Sequence, residues 1–182
     1  MRLPAALALF AAALPALAQT PGVRKAPEFT ITDADGKESL LSSYRGKVVV
    51  IGFVYTTCPH CQVFSTVLEK LYKELGPKGF QPIDIAWNDN ANLLIKNFAQ
   101  QYGVTFPIAY SSYDPIMSFM GFSIMDRPVV PLVVVIDRKG LIRAASPAGG
   151  DANLQDEAKL RSIIEVLLKE PAAGTPVRKK SS

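Results

Sequence analysis

The chain has 182 residues, 48% of them hydrophobic and 20% charged, with a formal net charge of +4. That is the make-up of an ordinary globular domain built on one hydrophobic core, and it excludes a low-complexity or strongly nucleic-acid-like polycation. With two cysteines and one histidine in the whole chain, chemistry that needs many soft ligands is excluded as well.

The first segment is predicted to lie outside the fold. Met1-Arg2 supplies a positive charge, and "LPAALALFAAALPALA" runs apolar and alanine-rich to Ala16-Leu17-Ala18, the small-x-small pattern of a signal peptidase site. The run is short against the roughly 20 residues that span a bilayer, and no cysteine follows Ala18 to carry a lipid. The expectation is a signal peptide over 1–18, cleavage after Ala18, and a periplasmic or secreted chain with no stable membrane insertion. Arg2 leaves with that segment, so +4 falls to +3. Outside the cytoplasm a lone cysteine pair can stay oxidised.

Residues 19–26 read as an extended linker to a domain over 27–170. "FTITDADGKESLLSSYRGK" predicts a β-hairpin through Phe29 and Ile31, turning at Asp33-Ala34-Asp35-Gly36. "VVVIGFVY", 48–55, is a continuous β-branched run, the pattern of a strand buried on both faces. Phe64, Val67, Leu68, Leu71, Tyr72 and Leu75 then recur at helical spacing, with Gly76-Pro77 as the stop. "FQPIDIAW", 80–87, predicts a second central strand, and Asn92 a cap for a helix through Tyr102 to Gly103. "VTFPIAY" reads as short and extended, and "DPIMSFMGF" as a brief helix capped by Asp114. "VVPLVVVID", 129–137, is a third apolar strand, and "LIRAAS" its antiparallel return. Leu160, Ile163, Ile164, Leu167 and Leu168 mark a last helix, with Asp156 and Glu157 in its first turn and Lys169 in its last. The Pro/Ala/Gly/Ser-rich stretch 171–182, with "RKK" at 178–180, reads as a solvated, disordered basic tail. No internal repeat or second domain is found.

This order predicts an α/β fold: a mixed central sheet flanked by helices, with an N-terminal β-hairpin and a right-handed parallel crossover between the strands at 48–55 and 80–87.

"TTCPHCQVF", 56–64, holds both cysteines and the histidine, all within Cys58-Pro59-His60-Cys61. A strand feeding C-x-x-C into a helix start is a physical device. The helix N-terminus carries about half a positive charge and unpaired N–H groups, which favour a thiolate at Cys58. Pro59 costs nothing at the first helical position, where its missing N–H would be unpaired anyway. Cys61, one turn along, can close a small-ring disulfide, which makes Cys58 the attacking thiol and Cys61 the resolving one. An imidazolium at His60 adds to the preference for thiolate, hence for a more oxidising disulfide.

The stretches "APEFTITDADGKESLLSSYRGKVVVIGFVYTTCPHC", "QQYGVTFPI" and "VVPLVVVIDRKG" resemble thioredoxin-fold thiol-disulfide oxidoreductases of the TlpA/ResA-like, redoxin (AhpC/TSA-type) branch. The resemblance implies a cis Val130–Pro131 bond beside the cysteines, with Val130 offering its backbone to an extended substrate segment. It implies protein thiols or disulfides as substrates, an unidentified redox partner protein, and no cofactor. Three departures stand out. Gly52 occupies the place, six residues before Cys58, where thioredoxin-like proteins often carry a buried carboxylate. Phe64 stands where ResA-like reductases place a Glu. Neither proton acceptor for Cys61 is therefore present, and Glu69 reads as a solvated helix residue. Third, Pro-His within the motif and Val before the proline resemble the oxidase DsbA, so the backbone family implies a reductase and the dipeptide an oxidase.

Two other readings compete. A Sco-like copper chaperone shares the fold, but uses two cysteines with three residues between them, where this chain has two, and a distant His, and this chain has no histidine besides His60. Two cysteines and a histidine also fall short of the four ligands of structural zinc, so no metal site is assigned. A thiol peroxidase needs a Thr three residues before its reactive cysteine; here that residue is Tyr55. Trp87 and the aromatics of "FMGF" read as packing residues. No phosphate-binding glycine loop, Ser/His/Asp set or nucleic-acid motif occurs.

Overall fold

Three runs of β-branched and apolar residues build the middle of the sheet. In the computed structural model, which describes residues 23–171, β4 (Val48–Val54), β5 (Phe80–Ala86) and β7 (Leu132–Ile136) are buried along their whole length. The predicted signal peptide, the start of the linker and the tail from residue 172 lie outside the described residues.

The remaining strands are β1 (Arg24–Lys25), β2 (Thr30–Asp33), β3 (Glu38–Leu40), β6 (Ile108–Tyr110) and β8 (Leu141–Ala145). All eight join one mixed sheet in the order β1-β8-β7-β4-β5-β6-β2-β3. β4 runs parallel to β5 and antiparallel to β7. The N-terminal hairpin β2–β3 closes through Asp33, whose Oδ1 accepts from the N–H groups of Asp35 and Lys37. It docks antiparallel on β6. Arg24–Lys25, within the segment read as a linker, instead forms an edge strand on β8, and the Ala26 N–H donates to the Gly140 carbonyl. Pairing partners so far along the chain leave no local signature.

The helices are α1 (Pro59–Leu75), α2 (Ala91–Tyr102), α3 (Tyr113–Met120), the short α4 (Ala152–Gln155) and α5 (Glu157–Lys169). α1 and α5 cover one sheet face: Phe64, Leu68 and Leu71 meet Leu160, Ile164 and Leu167 over Val48, Val50, Val133 and Val135. On the other face α3 brings Ile116 and Phe119 against Ile51, Phe53, Ile83 and Ile85, joined by Phe29 and Ile31. Phe29, Phe53 and Phe119 meet edge to face, with centroids 5.4–5.9 Å apart. The predicted caps shift by one or two residues. α2 starts at Ala91 behind Asn90, which adopts a left-handed conformation at φ 58°, so Asn92 lies inside the helix. α3 is preceded by Ser112, which puts Asp114 in its first turn rather than at its cap. Asp156 caps α5, accepting from the Lys159 N–H.

Candidate active site

β4 delivers the chain to the site. After Val54 the backbone turns through Tyr55-Thr56-Thr57, and Cys58 becomes the residue that caps α1, with Pro59 first in the helix. The turn is held from β5's exit. Asn88 Oδ1 accepts from the Thr56 N–H at 2.9 Å and lies 3.2 Å from the Thr56 hydroxyl, and Gln62 Nε2 donates to the Thr56 carbonyl. These contacts fix the two cysteines relative to the sheet.

Cys58 is half-buried, whereas Cys61 is fully buried beside Val54, Ala86, Ala91 and Ile95. Both are free thiols. The Tyr55 N–H donates to Cys61 Sγ at 3.4 Å. Burial pushes the Cys61 thiol well above its ordinary value; that N–H pulls it down, and the hydrogen bond and charge of Cys58, with the charge of Asp84, push it further up. Cys61 therefore stays protonated until something takes its proton. His60 and Pro59 are exposed on the first turn of α1. Val130 packs against the same cluster as Cys58, the Val130–Pro131 bond is cis, and Pro131 is buried. The structure thus brings Cys58, Cys61 and Val130 together, with His60 at the rim. Beside them the rings of Tyr55, Trp87 and Tyr113 pack in sequence, the first pair edge to face and the second tilted, 4.6 and 5.7 Å between centroids. They wall an open cleft of about 530 Å³ with Thr57, Asn88 and Leu94. Tyr55, at the position a peroxidase would give to Thr, is committed to this aromatic cluster.

Three residues of the site escaped the sequence reading. Asp84, on β5, is completely buried. It pairs in register with Gly52, and a Cβ on that glycine would lie 2.5 Å from Asp84 Oδ1 and 3.0 Å from the Phe64 ring. The carboxyl fills the room that a side chain at 52 would need. Its Oδ2 lies 2.6 Å from Ser65 Oγ, which is also 3.0 Å from the Cys61 carbonyl oxygen; its Oδ1 has no hydrogen-bond partner. Burial pushes the Asp84 carboxyl up to about 7, against the lowering effect of the Ser65 hydrogen bond. Ser65 and Asn88 complete the set. The available signal was an aspartate within an apolar strand, on the face shared by Phe80, Pro82 and Ala86.

Glu69 is not solvated as expected. It is buried, and its carboxylate accepts from the N–H and hydroxyl of Thr105 at 2.7 and 2.9 Å, with Lys73 Nζ 3.3 Å away. It ties α1 to the loop before β6. Among the described residues no three of His, Cys, Asp and Glu converge as a metal site, and no helix is long and apolar enough to cross a membrane.

The family model described as the AhpC/TSA family matches residues 23–145. The chain belongs to the AhpC/TSA family. It is similar to the thiol-disulfide oxidoreductase ResA of Bacillus thuringiensis, 30% identical over 119 residues, which is 65% of each chain. ResA of Halalkalibacterium halodurans is 28% identical over 133 residues, 73% of this chain and 72% of that one. The chain thus spans about two thirds of the length of these relatives. The crystal structure of a thiol:disulfide interchange protein of the thioredoxin family from Chlorobium tepidum superposes with a TM-score of 0.68 at 24% identity. It covers 82% of this chain and 99% of that one. At that identity the match shows the fold: a thioredoxin fold, as the sequence resemblance implied.

Proposed function

We propose that this chain is an exported thiol-disulfide oxidoreductase that exchanges disulfides with protein substrates through Cys58 and Cys61. The observation that carries the reading is the division of the pair: a half-buried Cys58 at the start of α1 and a fully buried Cys61 one turn behind it. In the reducing direction the Cys58 thiolate attacks a substrate disulfide. One substrate sulfur leaves as thiolate, and a mixed disulfide forms. Cys61, losing its proton, then attacks Cys58 Sγ; the Cys58–Cys61 bond forms and the second substrate thiolate departs. The substrate is reduced by two electrons and the cysteine pair oxidised by two; run backwards, the same steps oxidise a dithiol. The partial positive charge at the start of α1 faces the attacking sulfur of Cys58, and His60 is exposed at the rim of the same turn. Val130 supplies backbone to an extended substrate segment, and the clustered rings of Tyr55, Trp87 and Tyr113 offer an apolar wall for its side chains. Exchange is proposed to occur in the periplasm or outside the cell, after cleavage of residues 1–18, and to draw on a second redox protein.

The test is trapping. With a disulfide-bonded peptide as substrate, the Cys61→Ser variant should stop at a covalent adduct on Cys58, resolved by dithiothreitol and visible by intact mass. Cys58→Ser should form no adduct and give no turnover. Turnover that survives Cys58→Ser would overturn the reading.

A further inference from the structure

The resolving thiol needs a proton acceptor, and the positions at which the resembled families carry one hold Gly52 and Phe64. The structure assigns that task to Asp84: the buried carboxyl on β5, linked to the Cys61 turn through Ser65, takes the Cys61 proton when the disulfide closes and returns it when the disulfide opens. This assignment rests on the exchange reading above and names the group that makes its second step possible.

Placement is the first argument. Val50, Gly52 and Val54 on β4, and Pro82, Asp84 and Ala86 on β5, point to the face that α1 covers. Cys61 packs on Val54 and Ala86, and Phe64 and Ser65 pack on Gly52 and Asp84. The carboxyl is therefore one pleat row and one helical turn behind the thiol. Because residue 52 has no side chain, Asp84 Oδ1 can occupy that space.

An unmet hydrogen bond points the same way. A fully buried carboxylate oxygen without a partner is destabilising, and Asp84 Oδ1 is such an atom. Ser65 does not relieve it: its hydroxyl reaches Oδ2 rather than Oδ1, and its one proton faces two acceptors, Asp84 Oδ2 and the Cys61 carbonyl oxygen. When Asp84 is ionised the hydroxyl donates to the carboxylate. When Asp84 is protonated it can itself donate to Ser65 Oγ, which releases the Ser65 proton to the Cys61 carbonyl. The bridge thus has two arrangements, one for each protonation state.

Charge supplies the third. Two negative charges this deep in the sheet repel, and the charge of Asp84 raises the Cys61 thiol. Moving the proton from Cys61 to Asp84 makes a thiolate without adding a charge to the buried site. In the closing step the Cys61 proton goes to Asp84, the Cys61 sulfur bonds to Cys58 Sγ, and the bond from Cys58 to the substrate sulfur breaks. That substrate thiolate is protonated by solvent. Around Asp84 stand Gly52 on β4, Ile108 on β6, and Phe64, Ser65 and Cys61 on α1, with Cys58 a turn beyond. Glu69, further along α1, is engaged by Thr105 and Lys73. Cys61 is thus the titrating neighbour, and a carboxyl poised at about 7 is suited to accept and return a proton near neutral pH.

The experiment separates the two chemical steps in the full chain. Stopped-flow mixing of the reduced protein with an activated aryl disulfide reports the first aryl thiolate, released as Cys58 forms its adduct, and then the second, released as Cys61 closes the ring. In the wild type the second rate should rise with pH through about 7 and then level off. Asp84→Asn should leave the first rate unchanged and slow the second at pH 7 about a hundredfold, the low end of what a positioned base contributes. Its rate should keep climbing with hydroxide, without the plateau. Gly52→Asp combined with Asp84→Gly returns a carboxyl to the same space from the neighbouring strand and should restore the plateau. An unchanged second-step profile in Asp84→Asn overturns the assignment while leaving the exchange reading intact. Failure of the wild type to release the first aryl thiolate would instead remove the exchange reading itself.

Discussion

The contact between Gly52 and Asp84 gives a sharp packing prediction. Gly52→Ala places a methyl group 2.5 Å from Asp84 Oδ1 and 3.0 Å from the Phe64 ring, in a sheet interior where neither can move freely. Overpacking of this kind costs about 1–3 kcal/mol, offset by the roughly 0.5–1 kcal/mol that Ala gains over Gly in a strand. The net expectation is a loss of up to about 2.5 kcal/mol in the reduced protein. In an Asp84→Ala background the carboxyl is gone and the same methyl fills part of the space it leaves. There Gly52→Ala should be neutral or stabilising, so the two substitutions couple by about 1–3 kcal/mol, well beyond the additivity of distant sites. Urea denaturation of the four proteins at pH 5 in reducing buffer measures the cycle directly. Equal costs of Gly52→Ala in both backgrounds would refute the idea that Asp84 occupies the space of a residue-52 side chain.

Other predictions follow from the same geometry. Asp84 holds its proton to about 7 when folded, against an ordinary 3.8. Between these values the native state keeps a proton that the unfolded chain has lost, so this carboxyl's contribution is complete below about 4 and is lost as pH rises to 7. The loss is at most about 4 kcal/mol, and Asp84→Asn should flatten that part of the stability–pH curve in urea titrations at pH 4.5 and 8. A stability difference between wild type and variant that does not change with pH would count against this. Iodoacetamide should modify Cys58 in the native protein well before Cys61, and both at similar rates in urea; equal native rates would contradict the burial of Cys61. Glu69→Ala strips the Thr105 N–H and hydroxyl of their acceptor and should cost about 1.5–3 kcal/mol while leaving the exchange rates unchanged.

Much of the architecture was legible because its signals are local. β-branched runs marked β4, β5 and β7, apolar spacing marked α1 and α5, and the Cys-Pro-His-Cys segment lay where a strand meets a helix. The strand at Arg24–Lys25 was not legible, since its partners Leu141 and Ile142 stand more than a hundred residues away. Asp84 was hidden for the same reason. An aspartate in one strand and a glycine in another acquire meaning only when the parallel register sets Gly52 opposite Asp84. Glu69 misled because a charged residue in a helix is ordinarily solvated, and nothing in the sequence announced that the Thr105 backbone would need its carboxylate. Cap positions moved by one or two residues because Asn, Asp and Ser are interchangeable as helix-start signals.

The central claim is that Cys58 and Cys61 form one reversible redox pair. The most direct measurement is a redox titration of the full chain in glutathione buffers, read by free-thiol counting and intact mass. The account predicts a single two-electron transition in which both thiols disappear together with the loss of two hydrogens, and no such transition in Cys58→Ser or Cys61→Ser. Thiols that stay free across the whole range, or a pair that captures Cu(I) stoichiometrically without exchanging disulfides, would contradict it.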